Sequence, residues 1–276
     1  MMAFFRAVAD LGGTAVRDFQ DPVAAGMLSP RWSLGLAVMR RALRRPSMRA
    51  RFVETAAARG LDCIPLRTRA IDAAWQACVP DCPQLVILGA GLDGRAWRLT
   101  GAKRIFEVDQ PATQRYKRHR VADLPAPRVD LRWVALDLAR GDLERSLQDM
   151  GFDSTRRSFW IWEGVIPYLT PPTTAAVLET IARCAAPQSR LAATYIPPQP
   201  TRHNARILGP VRQLFRRLGE PFVGLLTEEQ MAGALDEAGF EVRSDTGVPD
   251  WAKRFSDGPA VVARDIGERL VVAERR

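Results

Sequence analysis

Leu85-Val-Ile-Leu-Gly-Ala-Gly-Leu-Asp-Gly-Arg-Ala-Trp-Arg-Leu99 sets an unbroken apolar run against Gly89, Gly91 and Gly94. A run of four aliphatic residues followed at once by Gly-x-Gly reads as a buried strand turning sharply into a helix, with the backbone left bare enough to approach a ligand. The G-x-G-x-x-G spacing is that of a dinucleotide fingerprint, and an adenosyl ligand uses the same loop. Beyond it, short apolar runs alternate with helical segments, which is the pattern of βαβ units on a parallel sheet. The predicted strands are Leu85–Leu88, Arg104–Val108, Asp130–Ala135, Ser158–Trp162, Leu191–Tyr195, Phe240–Ser244 and Arg269–Ala273. Thr170 before Pro171 predicts a helix N-terminus, and Thr227-Glu-Glu-Gln230 a capping box on a helix that Gly239 stops. The fold class is α/β, a doubly wound, mostly parallel, seven-stranded Rossmann-like sheet.

The first eighty residues carry no strand pattern. Helices are expected near Val16–Leu28, along a basic segment with apolar residues at Trp32, Leu36, Met39 and Leu43, across Met48–Arg59, and at Arg67–Val79. They predict a helical cap over residues 1–80 and a ligand-binding core over residues 81–276. The net charge of +9 invites a nucleic-acid reading. However, only Lys103, Lys117 and Lys253 are lysines, and the arginines run the whole length of the chain. The densest run, Arg40–Arg51, reads as an amphipathic helix with a solvated basic face, the other reading being an anionic substrate or surface. Cys63, Cys78, Cys82 and Cys184 are scattered and expected to be reduced thiols of a cytoplasmic protein. With His119 and His203 the only histidines, no metal site is expected. Nor is a secretory signal or a membrane span.

Acids decide between the two cofactor classes. Asp109 ends the second predicted strand, twenty residues after Gly89, where a carboxylate can take ribose hydroxyls. Asp137 closes the third and Glu163 follows the fourth. Carboxylates at three successive strand ends suit a neutral-to-cationic adenosyl sulfonium and would repel a pyrophosphate. Only about ten residues separate Gly94 from the next strand, short for the phosphate-facing helix of a nicotinamide domain.

Four stretches in series carry a resemblance: Arg67-Thr-Arg-Ala-Ile-Asp72, the glycine loop, Phe106-Glu-Val-Asp-Gln-Pro-Ala-Thr-Gln114 and Trp162-Glu-Gly-Val-Ile-Pro-Tyr-Leu169. Over about residues 50–250 the chain resembles the leucine carboxyl methyltransferase family of class I S-adenosylmethionine-dependent enzymes, and within it a bacterial branch of polyketide and other secondary-metabolite O-methyltransferases. The resemblance implies that Arg67 pairs with the carboxylate of the cofactor's methionine moiety, a bidentate match. It implies that Gly89, Ala90 and Gly91 approach the cofactor, Asp109 with Gln110 holds the ribose, Asp137 with Leu138 borders the adenine, and Glu163 lies near the amino group. The first sixty residues would form a lid.

The expected activity is methyl transfer to a carboxylate or phenol oxygen of a small molecule. A carboxylate needs no general base; a phenol would be helped by one, for which His203 and Tyr195 are the candidates. The competing classes are an RNA methyltransferase, for which no basic tract interleaved with stacking aromatics appears, and a noncatalytic binding protein on the same fold. The acceptor and the oligomeric state are not specified by the sequence.

Overall fold

The computed structural model describes residues 1–58, 61–198, 222–256 and 267–276. Seven strands form one sheet: β1 (Gln84–Leu88), β2 (Arg104–Asp109), β3 (Asp130–Ala135), β4 (Ser158–Trp162), β5 (Arg190–Tyr195), β6 (Phe240–Gly247) and β7 (Arg269–Arg275), in the order β3-β2-β1-β4-β5-β7-β6. The first five run parallel, while β7 is antiparallel to both β5 and β6. The sheet is thus seven-stranded and mostly parallel, as expected. β1 and β4 lie at its centre and are buried at every residue, which explains their continuous apolar runs. Edge strand β6 exposes Glu241, Val242, Arg243 and Ser244 and carries a register shift between Val242 and Ser244.

Alternation along the strands feeds two apolar clusters. Val86, Leu88, Phe106, Trp160 and Trp162 pack on one face with α7 (Leu143–Asp149), α8 (Pro171–Cys184) and α9 (Glu228–Glu237). Leu85, Ile87, Ile105, Phe159 and Ile161 pack on the other with α4 (Cys63–Gln76) and α10 (Val248–Phe255). Thr170 and Thr227 cap α8 and α9, the latter with its full capping box. A third cluster joins α1 (Met2–Asp10) and α2 (Pro30–Leu43) through Ala3, Ala7, Leu36 and Leu43. Among the described residues there are also α3 (Pro46–Ala58), the single turn α5 (Arg95–Arg98), α6 (Pro111–Val121) and a 3-10 turn at Ile166–Tyr168.

Three expectations are corrected. Val16–Leu28 is a series of turns, because Asp18 adopts φ 51° and Val16 bridges to Ser256. The Arg40–Arg51 run is divided between α2 and α3, since Pro46 begins a new helix. Cys78 and Cys82 are paired in a disulfide across the turn that ends α4.

Candidate functional site

The glycine loop is held from the neighbouring strand. Gly89 and Gly91 take positive φ of 63° and 46°, conformations that cost a side-chain-bearing residue about 1–2 kcal/mol. The amide of Ala90 donates to the Val108 carbonyl, and that of Gly91 to Asp109 Oδ2 at 2.5 Å. The other oxygen of Asp109 accepts from the Gln110 amide at 2.6 Å. Gly94 has a different reason: a Cβ there would lie 2.4 Å from Oδ1 of the buried Asp21.

Above this loop is a cavity of about 360 Å³ at the carboxyl ends of β1 and β4. Of the residues expected to bind a cofactor, Arg67, Gly89, Ala90, Gly91 and Glu163 line it. Asp109, Gln110, Asp137 and Leu138 do not; they sit to one side, at the ends of β2 and β3, where Asp137 caps the Ala139 amide and Leu138 packs on the core. Residues that sequence reasoning missed also line it: Met1, Met2 and Arg6 from α1 and its start, Asp93 from the loop, and Val165 after β4, with Tyr168 close by in the same wall.

The floor is a buried ionic network. Arg67 Nε donates to Glu163 Oε1 at 2.8 Å, and its Nη1 to both oxygens of Glu268 at 2.8 and 2.9 Å. Arg95 Nη1 reaches Glu163 Oε2 at 2.6 Å and also Asp93, while its Nε reaches Asp72 at 2.8 Å. Arg98 closes on Asp72, and Arg6 pairs with Asp21 at 2.9 Å. Burial opposes ionisation of Glu163, but Arg67 and Arg95 outweigh it and hold the carboxyl far below its usual range. Glu268, with Arg67 as its only close cation among the described residues, is pushed up by burial. Five carboxylates (Asp21, Asp72, Asp93, Glu163, Glu268) face four guanidiniums (Arg6, Arg67, Arg95, Arg98). Fully ionised, the cluster carries one net negative charge, a complement to a cation in a site where water does little screening.

Two features leave room for a ligand. Gly164, at φ 68°, lines the cavity, and a Cβ there would meet nothing within 4 Å. Arg67 Nη2 makes no hydrogen bond among the described residues. Donor set, net charge and bare backbone fit an adenosyl sulfonium with an amino-acid tail.

Of the two candidate bases, Tyr195 is described. Tyr195 is fully buried at the end of β5, does not line the cavity, and donates its hydroxyl to Asp245 Oδ2 at 2.6 Å. Burial, and then that carboxylate, push its phenol up. His203 lies outside the described residues. Arg69 stacks 5.6 Å over the Phe255 ring, away from the cavity.

The sequence signal for the missed members was uneven. Asp72, Asp93 and Arg95 stand inside the quoted motifs, and buried charges of opposite sign on adjacent elements could have been paired. Glu268 offered nothing local, lying 201 residues from Arg67.

A family model described as leucine carboxyl methyltransferase matches residues 1–182. A Mycobacterium marinum relative named "Putative S-adenosyl-L-methionine-dependent methyltransferase" is 43% identical over 143 residues, which are 50% of this chain and 46% of that protein. One of the same name from Mycobacterium sp. strain JLS is 41% identical over 139 residues, 49% and 46% of the two chains. The chain thus aligns with about half the length of the curated relatives it matches. Among solved structures, a "putative methyltransferase" from Thermobifida fusca YX superposes with a TM-score of 0.58 at 16% identity, covering 83% of this chain and 88% of that one; this likeness is one of fold.

Proposed function

The chain belongs to the leucine carboxyl methyltransferase family, and from that premise we propose that it is an S-adenosylmethionine-dependent O-methyltransferase of a small molecule, in the secondary metabolism of a bacterial cytoplasm. The observation that carries the reading is the cavity floor, where Glu163 is shared by Arg67 and Arg95 beneath a left-handed glycine loop.

S-adenosylmethionine, when bound, supplies a methyl group on a sulfonium for in-line displacement. Arg67 would hold the carboxylate of its amino-acid tail through Nη2. Glu163 and Asp93, both kept ionised by their arginines, would accept from the ammonium. Gly89, Ala90 and Gly91 would lie along the tail, Asp109 and Gln110 at the ribose, and Asp137 and Leu138 at the adenine. The residues before 81 would cap the site, with α1 forming its roof and α4 delivering Arg67, while residues 81–276 form the core.

The protein's contribution to the reaction is alignment and exclusion of water. A carboxylate acceptor is already a nucleophile at pH 7. A phenol would draw on a base, the role for which His203 is retained as candidate.

The test is a thermal-shift comparison of S-adenosylhomocysteine with NADH and NADPH. Ligand at a hundredfold over Kd stabilises by ~2.7 kcal/mol, or roughly 5–10 °C for a chain of this size. A shift with S-adenosylhomocysteine alone is expected; a shift with the nicotinamides alone overturns the reading. Turnover on a panel of carboxylates and phenols, against transfer RNA as control, then identifies the acceptor class.

A further inference from the structure

Between Pro30 and Val53 the chain has seven arginines and no acidic residue. α2 uses that composition asymmetrically. Leu36 and Leu43 are buried against α1 in the third apolar cluster. On the opposite side Arg31, Leu34, Val38 and Arg41 follow one another at three- and four-residue steps, one stripe of the helix. Leu34 is 70% exposed and Val38 64%, the two most exposed large apolar side chains of the described residues. Arg40, Arg44 and Arg45 extend the charge to the start of α3, where Met48 is 45% exposed. Among the described residues the side chains of Arg31, Arg40, Arg41, Arg44, Arg45 and Arg51 have no ion-pair partner. The apolar surface continues toward the cavity. Trp32, 43% exposed, packs 4.9 Å from the Phe4 ring, and Met1 and Met2, both exposed, line the cavity mouth.

We propose that α2 and the start of α3 form a docking face for a bilayer carrying anionic phospholipid, with Leu34 and Val38 entering the headgroup–acyl boundary and the arginines around them paired with phosphates. Charge decides the occupant. A second copy of this face would set arginine against arginine and is repelled. An RNA strand would meet the arginines, but the centre of the patch is two aliphatic side chains without stacking value, and the one aromatic beside it is engaged with Phe4. An apolar stripe flanked by arginine matches a helix lying in a membrane interface. Docked so, the face sets the cavity mouth close to the lipid surface.

The test is flotation of the full chain with vesicles of phosphatidylcholine alone or with one-quarter phosphatidylglycerol. Binding is expected only with phosphatidylglycerol, and is expected to fall at least tenfold between 0.1 and 0.5 M salt. The variant Leu34→Ser/Val38→Ser should lose about tenfold in vesicle affinity. The variant Arg40→Gln/Arg41→Gln/Arg44→Gln/Arg45→Gln should lose about a hundredfold. Both are expected to keep the parent Tm, since the substituted side chains are all exposed. Unchanged binding in either variant, or binding to neither vesicle, overturns the proposal. Retained binding of a homopolymeric RNA without vesicle binding reassigns the face to nucleic acid. A concentration-dependent dimer dissolved by the Leu34/Val38 variant reassigns it to a second copy.

Discussion

Arg67 and Glu163 stand 96 residues apart in the chain and meet at 2.8 Å on the floor of the cavity, Nε against Oε1. The pair ties α4 to the residue just after β4, so an element assigned to the cap and the centre of the sheet share one charge contact. Arg95 takes the second oxygen of Glu163 at 2.6 Å, and the carboxylate therefore has a fixed orientation before any ligand arrives.

If that orientation is what recognises the ammonium of an amino-acid tail, Glu163→Gln should weaken S-adenosylhomocysteine binding by about 1.5–3 kcal/mol, the loss expected for a charge-assisted hydrogen bond. Arg67→Ala should cost a similar amount through the carboxylate. Arg67→Ala also leaves Glu268 buried without its arginine and should lower folding stability by about 3–5 kcal/mol. Titration calorimetry on the folded variants separates the two effects. Unchanged affinity in Glu163→Gln would remove the residue from the site.

Acid should undo the same floor. A carboxyl whose folded pKa lies below its unfolded value contributes stability above the unfolded value, near 4.5 for Glu163, and loses it as pH falls toward the folded one. Chemical denaturation from pH 6 to pH 3 should show the parent losing stability faster than Glu163→Gln. Parallel curves would mean that Glu163 is not held ionised by its two arginines.

Glycine positions allow a sharper comparison. A Cβ on Gly89 would fall 2.3 Å from Val165 Cγ2, whereas one on Gly164 would meet nothing within 4 Å, and both residues have positive φ. Gly164→Ala should cost only the left-handed backbone penalty, about 1–2 kcal/mol. Gly89→Ala should add about 1–3 kcal/mol of overpacking. Urea unfolding of the two variants measures the difference, and equal costs would show that Val165 moves aside freely.

The central strands β1 and β4 were legible because each is a short apolar run buried at every residue, and the acids at the strand ends stood out as charges where burial was expected. The interval 16–28 misled for a physical reason. Val16, Val23 and Met27 are indeed buried, at spacings that suit a helix, but tertiary contacts hold them in turns, with Asp21 anchored by its amide to Asp10 and by its side chain to Arg6. The floor was half legible. Arg67 and Glu163 lay in recognisable motifs, but no periodicity announces that Glu268 will reach Arg67 or that α1 will line the cavity, because those contacts join residues far apart in the chain.

Tyr195 tests whether a strand-end hydroxyl is chemical or structural. It is held by Asp245, which also accepts from Arg269 Nε at 2.9 Å. Tyr195→Phe should therefore lower stability by about 1 kcal/mol by leaving the half-buried Asp245 short of a donor, with kcat unchanged. A fall in kcat of the 10²–10⁴-fold typical of a lost general base would return Tyr195 to the reaction.

Beneath Asp109, Glu107 and Lys117 form a second buried pair, 2.6 Å apart, with the Lys117 ammonium 5.9 and 5.7 Å from the rings of Trp97 and Trp133. Burial pushes the Glu107 carboxyl up to about 7 despite Lys117. A raised acid binds its proton more tightly in the folded state, so its contribution to stability falls as pH rises from the ordinary carboxylate value, near 4.5, to about 7. Removing the pair with Glu107→Gln/Lys117→Met should flatten the stability profile across that interval and be near neutral at its upper end, since apolar or neutral replacements of buried pairs often match them. Lys117→Met alone should carry the fall on to higher pH, because Glu107 then has no cation to offset its burial. Denaturant midpoints of parent, single and double variants at pH 5, 6, 7 and 8 measure all three slopes. Identical profiles would place the proton of Glu107 elsewhere.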